Sequence, residues 1–206
     1  MSKLSESWDS FTPEVASAYL KTFGHPAPGS KQILLDVLRN CSSSAHTTVL
    51  DLGCGNGQLY ESFKAEGWQC DYTGVDFSEA LLNVARRQNP EATFISGDVN
   101  QLTSLIDRKF DFVIYSHVIE MLESPEASLL EAKKATDRVL IRFFEPPEFE
   151  VDTVELREMD LGQGKVPYLR RKMSKSYYQL MLSNVGCKRV DVYRDVSKDQ
   201  VHMLYF

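Results

Sequence analysis

Asp51, Gly53, Gly55 and Gly57 stand at alternate positions in VLDLGCGNGQ, the stretch of this sequence best equipped to receive a small molecule. An apolar run ends at Asp51 and a helical pattern begins at Gln58, so the glycines form the turn between a strand and a helix. Glycine is needed where a backbone turns with positive φ, or where a ligand must approach with no Cβ in the way. Spacing narrows the ligand. A dinucleotide fingerprint would place its third glycine at position 58, which is Gln58, and a phosphate-cradling loop would end in Gly-Lys-Ser/Thr, which is absent. A glycine-rich turn with no ligand is the competing reading.

Further along the chain stand groups that suit a nucleoside. Asp76 closes the run VDF, 25 residues after Asp51, near the ~20 at which nucleotide-binding sheets place an acid for the ribose diol. A carboxylate there can accept from both hydroxyls, each charge-assisted bond contributing ~1.5–3 kcal/mol. Phe77 beside it can lie on an adenine face, for ~0.5–1.5 kcal/mol beyond area burial. Otherwise Asp76 is a helix N-terminal acid next to the cap Ser78. Tyr115-Ser116-His117 follows the apolar run FDFVIY, where side chains of an open α/β sheet meet a bound ligand. His117, with an ordinary pKa near working pH, is a candidate general base, or else caps a helix or orients a substrate. Tyr19 offers a ring and a hydroxyl together, for a substrate or cofactor contact or for the core alone.

These residues need strands that end side by side. Apolar runs predict strands at about 47–52, 70–76, 93–96, 110–115, 138–144, 188–194 and 201–206, the last two a hairpin. Helices are expected at about 31–39 behind an N-cap at Ser30, 58–66 closed by Gly67, 78–88, and 174–184 behind Ser174, with another opening at VIEML after His117. Trp8, Phe11, Val15, Tyr19 and Phe23 mark one helical face before the first strand, with Trp8 and Phe11 read as core. Between 145 and 172 the pattern is irregular and contains Gly162 and Gly164; its charges are acidic first and basic afterwards.

The acidic-x-G-x-G-x-G turn, with VDF and G-D-V each one strand-helix unit further on, resembles class I S-adenosylmethionine-dependent methyltransferases. The resemblance covers residues 47–206. It implies an α/β, Rossmann-like, seven-stranded, mostly parallel sheet with an antiparallel last strand and helices on both faces. One domain, 1–206, would carry a helical cover at 1–46, a core at 47–206 and an acceptor-pocket insert at 145–173. S-adenosylmethionine is the implied cofactor. Asp51, Gly53, Gly55 and Gly57 would face its methionine part, Asp76 and Phe77 the ribose and adenine, Asp98 and the Val99 N–H the adenine, and Ser116 the methionine amine through its carbonyl. Tyr19, Tyr115 and His117 would position or deprotonate the acceptor. The pattern also excludes chemistries. Base-methylating enzymes carry D/N-P-P-aromatic where this chain has Tyr-Ser-His, and the acidic residues of magnesium-dependent catechol-type enzymes are missing, so no metal is expected. A second histidine common in the small-molecule pattern is Met121 here.

Composition sets the remaining bounds. A chain of 206 residues, 43% hydrophobic and 11% aromatic, can bury one full core. No run reaches the ~18 apolar residues of a membrane span, and Cys41, Cys54, Cys70 and Cys187 lack C-x-x-C spacing, so a reducing cytoplasm is expected. A net charge of -6 argues against general nucleic-acid affinity. The expected acceptor is an O or N atom of a small molecule, handled by a monomer or homodimer. Two alternatives stay open: an RNA or protein methyltransferase using the basic segment 165–175, and a non-catalytic cofactor-binding partner subunit.

Overall fold

The computed structural model describes residues 12–23, 31–42, 46–161, 165–194 and 200–206. Trp8, Phe11, Ser30, Gly162 and Gly164 lie outside the described residues. The sheet is built from β1 (Thr48–Leu52), β2 (Asp71–Asp76), β3 (Thr93–Ser96), β4 (Phe112–Ser116), β5 (Arg138–Phe143), β8 (Arg189–Arg194) and β9 (Gln200–Tyr205), in the order β3-β2-β1-β4-β5-β9-β8. The five strands from β3 to β5 are parallel, and β9 runs antiparallel to both of its neighbours. The expected sheet is therefore present. Helices α1 (Pro13–Phe23), α2 (Gln32–Cys41), α3 (Gln58–Ala65), α4 (Glu79–Gln88), α5 (Pro125–Ala135) and α6 (Lys175–Asn184) accompany it.

Strand alternation assigns the two cores. Leu50, Leu52, Val113, Tyr115, Val139 and Ile141 pack on Leu129 and Ala132 of α5 and Met181 of α6. Val49, Phe112, Ile114, Leu140 and Met203 pack on Leu34 and Leu38 of α2, Phe63 of α3 and Leu82 of α4. Burial on both faces explains why the central strands read as nearly continuous apolar runs. By the same period of two, Asp51, Ser116 and Arg142 lie on the α2 face, at the carboxyl ends of β1, β4 and β5.

Three local expectations are corrected. The helix expected at VIEML is a single 3-10 turn, Ile119–Met121, and α5 begins only at Pro125 behind Ser124. The residue at the N-cap of α2 is Lys31. Residues 145–172 are not irregular throughout: β6 (Thr153–Asp160) and β7 (Lys165–Lys172) form a separate antiparallel hairpin. Its register explains the change from acidic to basic, because Glu155 faces Arg170 and Asp160 faces Lys165 across the strands. The ion pairs themselves are Lys165 with Glu158 along the ladder and Arg170 with Glu145 outside it. Leu161 and Val166 then meet Ala16 and Ala18 of α1 and Leu81 of α4, so the hairpin and α1 pack together over the helix that follows β2.

Candidate active site

The glycine turn is held by β2. Gly53 N donates to Val75 O at 2.8 Å and Gly55 N to Asp76 Oδ2 at 2.7 Å, while Asp76 Oδ1 accepts from Ser78 N at 2.8 Å. Asp76 thus clamps both the glycine turn and the approach to the cap Ser78, with its carboxyl pushed above the usual range by burial against the opposing backbone N–H groups of Ser78, Gly55 and Phe77. Two glycines are required for different reasons. At Gly53 (φ +74°) an added Cβ would come within 2.6 Å of Val118, which is packing. At Gly55 (φ +55°) the nearest atom would be Leu81 Cδ1 at 4.0 Å, so this backbone faces open space and leaves room for a ligand. Gly57 sits at the N-cap of α3. Asp51 is buried and accepts from Tyr72 Oη at 2.6 Å; burial pushes it up to about 7, against the Tyr72 bond and Lys31. Phe77 is half-buried, directly after Asp76. Asp98 accepts from Asn100 N at 2.8 Å, and the Val99 side chain is in the core.

The carboxyl ends of β4 and β5 bring a second set together. Tyr115 is not part of it. Its parity puts the ring on the α5 face, fully buried, with the hydroxyl against Ser128 Oγ at 2.7 Å and Ser128 O at 3.0 Å, so its expected place at the acceptor is corrected. Ser116 Oγ accepts from Arg142 Nη1 at 3.5 Å. His117 takes φ +61°, a left-handed conformation rare outside glycine, and its N–H donates to Arg142 O at 2.9 Å. Its ring stacks on Phe144 with centroids 3.8 Å apart, and Nε2 is buried without a hydrogen-bond partner among the described residues. Burial, reinforced by Arg142, Lys31 and Arg170, pulls its pKa down to about 3, far from the near-neutral value expected from the residue type. Tyr19 is pushed up to about 12 by burial and then by the nearby charge of Asp76, so its hydroxyl stays protonated.

Arg142, Glu120 and Lys31 escaped sequence reasoning, and Arg170 enters from the basic segment 165–175. Arg142 and Arg170 are each only 7% exposed; Arg170 lies over the Phe144 ring at 4.2 Å and reaches Glu145 at 3.1 Å. Glu120 is buried, and its Oε1 accepts from Phe144 N at 2.7 Å and Glu145 N at 3.3 Å. Lys31, lowered to about 8 by burial and then by Arg142, faces the same end. The available signal was Arg142 itself, a charge interrupting the apolar run RVLIRFF. Among the described residues no cluster of three or more His, Cys, Asp or Glu side chains is arranged to hold a metal.

A family model described as a methyltransferase domain matches residues 50–138, from β1 through the start of β5. Over this segment the chain is similar to class I S-adenosylmethionine-dependent methyltransferases. It is 31% identical over 104 residues to the demethylmenaquinone methyltransferase of Renibacterium salmoninarum, covering 49% of this chain and 43% of that protein. With the malonyl-[acyl-carrier protein] O-methyltransferase of Bacillus cytotoxicus the identity is 28% over 107 residues, covering 51% and 37%. The chain therefore spans about half the length of these curated relatives, or less. Among solved structures, the DhpI complex with SAM and HEP superposes with a TM-score of 0.73 over all of both chains at 20% identity, a likeness of fold. In this methyltransferase fold the glycine turn and Asp76 occupy the segment that the family match covers, whereas Arg170, α1 and the hairpin lie outside it.

Proposed function

We propose that this protein transfers the methyl group of S-adenosylmethionine to an oxygen or nitrogen atom of a small molecule. The observation that carries the reading is the Asp76 clamp, a carboxylate at the end of β2 bonded to Gly55 N beside a backbone that faces open space. When bound, the cofactor supplies an electrophilic methyl group on a sulfonium. Asp76 accepts from the ribose, Phe77 covers the adenine, and Asp98 with the Val99 N–H reads its edge. The turn Gly53–Gly57, Asp51 and the Ser116 carbonyl receive the methionine part. Tyr19 on α1 closes the nucleoside end, and the hairpin walls the acceptor pocket. His117, neutral and aimed by its strained backbone, orients the acceptor; positioning of this kind supplies up to ~7–11 kcal/mol.

The support for a small acceptor is twofold. The relatives include a demethylmenaquinone methyltransferase and a malonyl-[acyl-carrier protein] O-methyltransferase. In addition, the two arginines of the basic segment that favoured RNA are turned into the fold, Arg171 with Asp152 at 3.0 Å and Arg170 with Glu145 at 3.1 Å. All four cysteines are free thiols, in keeping with a cytoplasmic setting, and among the described residues no helix is long and apolar enough to cross a membrane. The test is transfer of radiolabelled methyl into a cell extract separated into small molecules, RNA and protein. Label in the small-molecule fraction supports the reading, and label confined to RNA or protein overturns it. Calorimetry adds a second check: Asp76→Ala is expected to weaken S-adenosylhomocysteine binding by about 10- to 100-fold, the loss of ~1.5–3 kcal/mol.

A further inference from the structure

Among the described residues β6 is an edge strand. It pairs with β7 along one side, in a sheet of two strands, and no described strand lies along its other side. Thr153, Val154, Glu155 and Leu156 are all exposed, Val154 by 49% and Leu156 by 67%. An edge of this kind presents a row of backbone N–H and C=O groups to any strand that arrives, and folded proteins commonly blunt it with lysine, proline or a bulge. β6, TVELREMD, has none of these: it contains neither lysine nor proline, and its ladder with β7 runs unbroken from Thr153 to Asp160. The lysines and the proline of the hairpin are in β7, the strand that is already paired. Alternation puts Val154 and Leu156 on one face of β6, and Glu155 and Arg157 on the other. There Arg157 Nη2 donates to Glu155 Oε2 at 2.7 Å. The two side chains are 40% and 45% exposed, so their bond is worth little and is readily exchanged for another of the same kind.

We infer that this edge joins two copies of the chain, β6 pairing antiparallel with β6 of the partner about a two-fold axis at Leu156. The charges select that register. An axis at Glu155 or at Arg157 would set like charges directly opposite one another, whereas an axis at Leu156 sets Glu155 opposite the partner's Arg157, and Arg157 opposite the partner's Glu155. The exposed apolar side chains then cover each other, Leu156 against the partner's Leu156 with Val154 diagonally beside it. A like-charge juxtaposition, Asp152 with the partner's Asp160, falls at the ends of the ladder, where Arg171 already holds Asp152 at 3.0 Å. Two sheets of two strands become one of four, in the order β7-β6-β6-β7, and the contact is the same patch on both copies, as a two-fold dimer requires. One strand on each side is a small contact, so the dimer is a weak one that depends on concentration. It lies one strand from the candidate site, because Glu155 faces Arg170 across the hairpin and Arg170 lies over Phe144. The pairing needs no cofactor and stands apart from the methyl-transfer reading.

The experiment is sedimentation equilibrium of the full chain between about 1 μM and about 1 mM, where a monomer–dimer equilibrium is expected. Arg157→Glu and Glu155→Arg each set like charges across the axis, and each should weaken the dimer about tenfold or more. Combined in one chain, the two changes restore opposite charges, and the dissociation constant should return to within about threefold of the wild type. Mixing the two single variants should likewise give a heterodimer, since one then carries two glutamates and the other two arginines at the contact. Circular dichroism and thermal melts establish that each variant is folded. Hydrogen exchange on the unaltered protein gives a readout that needs no variant: backbone amides within 153–159 should exchange more slowly at high protein concentration than at low. A wild type that stays monomeric over the whole range overturns the inference. So does a dimer indifferent to both single changes, which would be joined elsewhere, as at the β8 edge of the main sheet. Single variants that dissociate without recovery in the double variant or the mixture overturn the register and the inference with it. Exchange in β6 that is independent of concentration overturns it as well.

Discussion

His117 combines a backbone conformation that non-glycine residues seldom adopt with a buried ring nitrogen lacking a partner, and strain of that kind, ~1–3 kcal/mol, concentrates at functional sites. Its pKa near 3 makes a kinetic forecast. The imidazole is neutral throughout the physiological range, so the pH profile of kcat should show no limb from His117 near pH 6.5; such a limb, lost in His117→Gln, would mean that the bound state restores an ordinary histidine. Glu120 gives the opposite sign. Burial raises its folded pKa from 4.5 to about 7, so the folded state holds the extra proton, and its contribution is complete below about pH 4.5 and is lost as pH rises to about 7. Glu120→Gln keeps an acceptor for Phe144 N and Glu145 N and has no such loss. The Tm difference between Glu120→Gln and the wild type should therefore grow more favourable to the variant from pH 4.5 to 8, by on the order of 3 kcal/mol in stability. A difference constant with pH would show that Glu120 titrates normally.

Among the elements, α1 and the hairpin share one small apolar cluster with α4. Ala16 and Ala18 allow the close approach to Leu81, Leu161 and Val166, and a side chain carrying a charge cannot be accommodated there. Ala18→Glu should undock α1, moving Tyr19 from Asp76 and weakening cofactor binding about tenfold or more, while circular dichroism of the sheet core stays unchanged. Unchanged affinity would remove α1 from the site. The same elements mark where sequence reading stopped. β3 and β5 were legible because apolar runs flanked by breakers have few other uses. β6 was not: Val154 and Leu156 are 49% and 67% exposed, so its alternation marks no core face. Asp76 and the glycines were readable because chain-local spacing fixes their role. Tyr115 was misplaced by one parity step, and the state of His117 depends on Lys31, Arg142 and Arg170, which only the fold brings together.

At the scale of the whole molecule, the residues proposed for the cofactor come from the first half of the chain and those proposed for the acceptor from both halves, while the family match ends at the start of β5. A ligand that bridges such a site stabilises everything it touches. S-adenosylhomocysteine at about 100 times its Kd should add ~2.7 kcal/mol, raising Tm by roughly 5–10 °C for a domain of this size; no shift at that occupancy, measured independently, would argue for a second folded form that binds equally well. The strand order bears on how the molecule is made. β9 lies between β5 and β8, so on the ribosome β5 waits for a neighbour translated roughly sixty residues later, and β8 emerges with nothing yet to pair with. In that interval Val139, Leu140 and Ile141 offer an open apolar edge to other nascent chains. Yield during synthesis, more than the stability of the finished sheet, is where this topology is exposed, and a translational pause between β8 and β9 is the moment of greatest risk.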